Sequence, residues 1–352
     1  MQNNYLLFNK FINMAVFKTT DYWDQTSHLK MIDEFFDEAM SKNIDKVVWL
    51  DLFDEEFNNH KNDTILLEDW VAWVKYIPEN SEYPDAEPWE TSSMILTKYK
   101  YGAKIVITEE MKLYNQIGSM QKRIGSIVAD GLEKLDQSLA DILLHGFSAD
   151  SYVDVYGQSC PAIGQDGRAL FNAYDDNIIK TKDGLTTNPE LCSDALDSIY
   201  IKGATYTNRL GQHVSIDYDT LLVSPANRSK ALILTESEHI PWSADNAINV
   251  NKGKFKVKVW NRLASIIKEN GNNVDTSLFW FVYDSEKIKD QLKVKWARHP
   301  QLIKAWEVKF DANEVHRFSY IYSRGFLNKA YIAWSKWTEA VAEEGIAVKV
   351  VD

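Results

Sequence analysis

The stretch from Glu109 to Phe147 contains no proline, and its apolar residues recur every three or four positions. Leu113, Ile117, Met120, Ile124, Val128, Leu132, Leu135, Leu139 and Ile142 form one stripe at the helical period. Lys112, Gln116, Gln121, Lys122, Glu133, Lys134 and Asp136 fall mostly on the other side. Thr108 followed by Glu109 and Glu110 puts a hydroxyl cap and negative charge at the N-terminal end, and Gly146 suits a stop. At 1.5 Å per residue a single helix over this stretch spans roughly 58 Å, wider than a small domain. Gly118, Gly125 and Gly131 each cost about 1 kcal/mol against alanine in such a helix. They either admit a close neighbour or are simply tolerated. A heptad coiled coil is the rival arrangement, but the steps keep no strict seven-residue register.

A chain of 352 residues has room for about two compact units with ample core, and 45% hydrophobic with 26% charged residues is a globular balance. No run reaches the ~18 apolar residues of a membrane span. The start, MQNNYLLFNKFINMAVFKTTDYW, lacks a basic leader and a clear cleavage site, so no secretion signal is expected. Cys160 and Cys192 are too few for a disulfide framework and lack metal-ligand spacing. The net charge of −12 argues against gripping nucleic acid along a broad face, though not against enclosing it.

Residues 1–60 read as an arm with one short helix over Ser27–Ser41, and DKVVWLDLF as a strand after it. Ile65–Ile107 reads as a long hairpin. Its strands, ILLEDWVAWVKYI and SSMILTKYKYGAKIVI, flank a tip holding Pro78, Pro84 and Pro88. The tip carries Glu79, Glu82, Asp85, Glu87 and Glu90 and no basic residue. A two-stranded ribbon is marginal in water, so this one needs a surface, either on a neighbour or on its own domain. Further on, Asn188 or Pro189 opens a helix ending near Gly203, TLLVSPANRSKALIL is a strand running into a helix, and strands dominate after Phe147. The fold class is α+β.

The search for chemistry finds no enzyme. The seven histidines are scattered, and His145 reads as a charge partner at a helix end. There is no HExxH, CxxC, GxSxG, phosphate loop or dinucleotide fingerprint. The clusters Asp54–Glu56 and Asp217 with Asp219 lack a calcium-loop pattern and read as solvated acidic loops. Lys252, Lys254, Lys256 and Lys258 alternate with Phe255, Val257 and Val259. That is a solvated strand face or a contact for an acidic partner. No cofactor and no metal is expected.

The order of these parts resembles the major capsid proteins of tailed phages with the Hong Kong 97 fold, and most of all the Mu-like prophage head-subunit group. The resemblance is carried by GAKIVITEEM (Gly102–Met111), HGF (His145–Phe147), DGRALF (Asp166–Phe171), YDTLLVSPANRSKALIL (Tyr218–Leu234) and HRFSYIYSRGFLNKAYIAW (His316–Trp334). It covers roughly Ile65 to Trp337. FNAYDDN (Phe171–Asn177) departs from it in lacking a histidine, and no long charged helical segment precedes the arm. The type member's lysine–asparagine cross-link has no match here.

The resemblance implies five regions: an N-terminal arm (1–60), an extended hairpin (61–108), a peripheral domain (109–185) with a spine helix over 109–147, an axial domain (186–299), and a return to the peripheral domain (300–352). It implies no active site. The chain would partner itself in hexamers and pentamers of an icosahedral shell around phage DNA, held without sequence-specific binding. Scaffolding, portal and decoration proteins are further implied partners, and no membrane is. The protein would be made in the host bacterial cytoplasm and end in the virion. Trp70, Trp73, Tyr76 and Tyr99 are the expected intersubunit platform, Glu82, Asp85, Glu87 and Trp89 belong to its tip, and Lys254 and Lys256 await an acidic neighbour. An encapsulin-like shell holding protein cargo, or a soluble binding protein or enzyme, are the rival functions.

Overall fold

The computed structural model describes residues 25–44, 47–71, 76–83, 87–114, 116–207, 211, 213–239, 248–269, 272–308 and 314–337. In chain order the elements begin with α1 (Gln25–Ile44), α2 (Trp49–Leu52), β1 (Asp54–Phe57), β2 (Asn62–Val71), β3 (Glu87–Thr97) and β4 (Tyr99–Ile107). Next come α3 (Glu109–Leu113), α4 (Ile117–Leu144), β5 (Tyr152–Val153), β6 (Ser159–Cys160), α5 (Ser193–Ala204), β7 (Thr220–Val223) and α6 (Arg228–Glu236). The last are β8 (Lys256–Val259), β9 (Ile266–Glu269), β10 (Asn272–Asp275), β11 (Trp280–Tyr283), α7 (Ile288–Gln291), β12 (Leu292–Val308), β13 (Glu314–Phe326) and β14 (Ile332–Ser335). The α+β class stands.

The chain divides into two compact units, one of residues 1–47, 100–135 and 298–321, the other of the rest. In the first, the stripe of α4 is buried: Met120, Ile124, Val128, Leu132 and Leu135 are all under 5% exposed. Phe36 of α1 meets Phe318 of β13 with ring centroids 6.2 Å apart, and Gln121 Nε2 donates to Glu38 Oε2 at 2.9 Å. Gly131 explains itself. A Cβ there would lie 2.2 Å from the Phe318 ring, so only glycine lets β13 come this close. Gly118 and Gly125 face open space and are merely tolerated.

The second unit is built on a four-stranded sheet in the order β14-β11-β7-β8. Every residue of β7, β11 and β14 is buried, as in a sheet covered on both faces. One face packs Leu221, Val223, Trp280 and Val282 against Leu196 and Ile199 of α5 and Ala231 and Leu234 of α6. Over the other lies an aromatic stack in which Trp334 touches Phe147 (5.4 Å), Phe171 (5.1 Å) and Phe279 (5.6 Å). Phe147, Phe171 and Trp334 close the segments HGF, DGRALF and IAW, so three motifs far apart in sequence meet at one indole. Val257 and Val259 turn inward to the core, as the alternation on β8 predicts.

Four expectations change. The long helix is interrupted: Gln116 N reaches back to Met111 O at 2.8 Å, a five-residue step, before α4 starts. Tyr114, Asn115 and Gly118 are weak helix formers clustered at that point. The hairpin is shorter, since Tyr99–Ile107 leaves it to become β4 beside β13. Within DKVVWLDLF, Trp49–Leu52 is a helical turn. A strand would put Asp51 on one face with Trp49 and Phe53. The turn buries Trp49, Leu52 and Phe53 and leaves Asp51 exposed beside Lys258. Finally, α5 opens at Ser193, because Asn188 sits at φ 56° and Pro189 O is taken by Trp280 Nε1 (3.1 Å) and Ser335 Oγ (2.7 Å).

Candidate functional site

The hairpin β2–β3 is a sheet of two strands, paired from Asn62↔Thr97 to Val71↔Glu87. Ten residues of strand amount to roughly 33 Å of ribbon. The register slips between Leu67↔Ser92 and Glu68↔Glu90, leaving Thr91 as the extra residue of a bulge. Pro88, opposite Trp70, costs little here, because in a two-stranded ribbon both strands are edges.

Its base is held by two devices. The Lys98 side chain is 1% exposed, with Nζ 2.6 Å from Asp63 Oδ2. The same ammonium donates to Asn58 O at 2.9 Å and His60 O at 3.0 Å, while Asn58 Nδ2 donates to Asp63 Oδ1 at 2.8 Å. A buried ammonium is tolerable only with such partners, and it breaks the limb between β3 and β4. Beside it, Ile65, Leu96 and Leu327 form a small buried cluster with Met94.

Alternation sets the other face outward. Asp63, Ile65, Met94 and Leu96 share the anchored face; Thr64, Leu66 and Ile95 share its opposite. Ile95 is 65% exposed and Leu66 40%. The described part of the tip, Tyr76–Tyr83, turns where Ser81 N meets Pro78 O at 3.1 Å, with Asn80 at φ 67°. Tyr76 and Tyr83 are almost fully exposed, at 90% and 84%. Glu82 is exposed too.

The expected contact residues are thus scattered along the hairpin and beyond it. Trp70 is in register with Pro88, Trp89 with Asp69 and Glu87 with Val71; Trp73 and Asp85 lie outside the described residues. Tyr99, 48% exposed, opens β4 instead of flanking the ribbon. Lys254 sits in a turn before β8, its Nζ 4.4 Å above the Tyr200 ring. Lys252 pairs with Glu238 at 2.9 Å and Lys258 with Asp51, which leaves Lys254 and Lys256 exposed and without an ion pair among the described residues. Sequence reasoning missed Lys98, Asp63, Asn58 and Ile95. The one signal for Lys98 was a lysine set between Thr97 and Tyr99 in a run of strand formers.

The clusters that could have carried chemistry are spent on structure. Asp54 pairs with Lys293 at 2.7 Å and Glu56 with Lys295, so parallel β1 seats an acidic strand on a basic one. Asp219 accepts from Ser285 N and Oγ. Asp154, with its side chain fully buried, takes Arg324 Nη2 at 2.8 Å and the backbone N–H groups of Tyr156 and Gln158 at 2.9 Å. Arg324 also donates to Tyr322 Oη, which lies 2.6 Å from Ser138 Oγ. Next to this cluster, burial pushes the Asp141 carboxyl up to about 6 and the Cys160 thiol up to about 11, the reverse of an activated nucleophile. His145 stacks flat on Tyr152 with centroids 4.4 Å apart. Among the described residues no three His, Cys, Asp or Glu side chains are placed to hold a metal, and no helix is long and apolar enough to cross a membrane.

No family model matches the sequence, and no curated protein does. Solved structures do. A virus-like particle from Pyrococcus furiosus is 9% identical, with 88% of this chain and 99% of that one covered, at a TM-score of 0.45. The procapsid of bacteriophage JBD30 is 11% identical, with 93% and 80% covered, at 0.44. The capsid of cyanophage P-SCSP1u is 8% identical, with 93% and 92% covered, at 0.45. All three scores fall below 0.5, so the functional reading rests on the chain's own geometry.

Proposed function

We propose that this chain is the major subunit of a capsid-type shell, of the tailed-phage class with the Hong Kong 97 fold, and that it works by self-assembly without catalysis. One observation carries the reading: a ribbon of roughly 33 Å, fixed at its root, pairs with no third strand among the described residues and presents Ile95 and Leu66 outward. Such a ribbon finds cover on another copy. Laid across a neighbour it buries area on the scale of a standard interface, about 800 Å² per partner. The contact is heterologous, since a ribbon on one copy meets a different surface on the next. Repeated contacts of this kind close into rings. In this reading rings of six and five copies close an icosahedral shell around double-stranded DNA, and the net charge of −12 keeps the lumen from gripping what it holds.

In the same reading, residues from about Leu185 to His299 lie nearest the centre of each ring, the α4 region is the spine, and the hairpin bends to fit non-identical positions. The test is negative-stain microscopy of the expressed protein beside Ile95→Asp and Trp73→Asp. Wild type is expected to form closed particles, and both variants to stay as soluble, folded subunits. Normal particles from both variants would defeat the ribbon's role. Particles filled with protein in place of DNA would favour the encapsulin-like compartment.

A further inference from the structure

The segment Tyr152–Cys160 lies as a strap over the C-terminal end of α4. Its strands β5 and β6 are two residues long and pair at Tyr152↔Cys160 and Val153↔Ser159. The turn between them closes on itself: Asp154 N donates to Gln158 O, and Gly157 N, at φ 78°, donates to Asp154 O, both at 2.9 Å. Three contacts fasten the strap. Tyr152 stacks on His145, Asp154 is held by Arg324 of β13, and the backbone N–H of Val155 donates to the Asp141 carboxyl. Asp141 also accepts from Gln137 Nε2 at 2.8 Å. Asp141 and His145 stand one turn apart, so the strap grips one side of the helix end. On its outer surface Val153 is 68% exposed and Val155 40%.

Beneath the strap two carboxylates, Asp141 and Asp154, face one cation, Arg324. The other titratable groups around Asp141 are Tyr152 and Cys160 of the strap, Tyr322 of β13 and His145 of α4. Burial pushes the thiol and both phenols upward, so they stay neutral and balance no charge. With Asp141 protonated the site is neutral. Ionised, it holds one negative charge unmatched under cover, which must be hydrated or given up. Lifting the strap admits water at the cost of two short strands that pair only with each other. We propose that Tyr152–Cys160 is a strap that acid holds shut and that loosens toward neutrality, with Asp141 as its trigger. Asp141 binds its proton more tightly under the closed strap than in water, so opening releases that proton. Rising pH therefore favours opening from the ordinary carboxylate range up to about 6, and the effect levels off above. The device is independent of the shell reading and alters the surface that carries Val153 and Val155.

The experiment is hydrogen exchange of residues 152–160 in the full chain, corrected for the intrinsic rate at each pH. Protection in wild type is expected to fall at least about tenfold from about pH 4 to about pH 6.5 and to level off above. In Asp141→Asn it should change by less than about twofold over the same range. His145→Phe keeps a flat ring against Tyr152 while removing the histidine's own titration, and should show the full fall. Low urea should leave the strap's exchange unchanged while speeding that of β11, because the strap opens without unfolding its unit. A fall that survives Asp141→Asn, or one that vanishes in His145→Phe, would overturn the role of Asp141. Equal urea dependence of strap and β11 would mean that the strap opens only when the unit unfolds, and the proposal fails. Flat protection in wild type, readable whether or not either variant folds, defeats it outright.

Discussion

Strands β11 and β3 belong to the same unit and to opposite regimes. Trp280, Phe281, Val282 and Tyr283 on β11 are at most 1% exposed, with partner strands on both sides and cover on both faces. On β3, Ile95 is 65% exposed and has one partner strand, β2. Composition separates them only in part: β11 is wholly aromatic and β-branched, while β3 mixes Trp89, Ile95 and Thr97 with glutamates and serines. What separates them is neighbours: the first has its neighbours within the chain, and the second lacks them on one face among the described residues.

Substitutions in the two regions should therefore fail in different ways, and their effects on subunit stability can be ranked. Trp334→Ala removes the indole shared by Phe147, Phe171 and Phe279 and is expected to cost about 4 kcal/mol in urea unfolding. Lys98→Met strands a buried Asp63 carboxylate and should cost about 3 kcal/mol, with hydrogen exchange rising first at the hairpin base. Asp141→Asn works in the other direction. Burial raises that carboxyl to about 6 from its usual 3.8, so its folded form favours the proton. The stability linked to it is present below the unfolded value and lost as pH rises through about 6. The asparagine variant should thus gain up to about 3 kcal/mol over wild type above neutrality and lose that advantage near pH 4, in paired melts across the range. Ile95→Asp should shift subunit stability by no more than about 0.5 kcal/mol while abolishing particles. If it unfolds the subunit instead, the ribbon already has its cover within the chain and the contrast between β11 and β3 collapses.

The parts that were legible in sequence share one property: a local period that the fold keeps. The stripe from Met120 to Ile142 is buried as spaced, Thr108 Oγ1 accepts from Met111 N at 3.4 Å, and TLLV leads into α6 through Pro225. Ser27–Ser41 lies inside the longer α1. The misses lie where tertiary partners outvote the local pattern. VVWLDLF is an apolar run that reads as a strand, but the buried side of its own turn, with Asp51 beside Lys258, claims Trp49–Leu52 for a helix. Pro189 opens no helix because two side chains bind its carbonyl. At the candidate site the aromatic strands and acidic tip could be read directly, but the ammonium cage could not. Asn58, His60, Asp63 and Lys98 converge only after the ribbon has formed, and nothing in their spacing announces it.

That cage has a consequence for any encounter between copies. A projecting ribbon that swivels freely must surrender its orientational freedom on contact, which subtracts from the association free energy. Here the loss at its root is incurred once, when the subunit folds, so the arm is already aimed before a partner arrives. Growth of an assembly would then be governed by how well the outer part of the arm seats, leaving a misplaced subunit free to let go and try again.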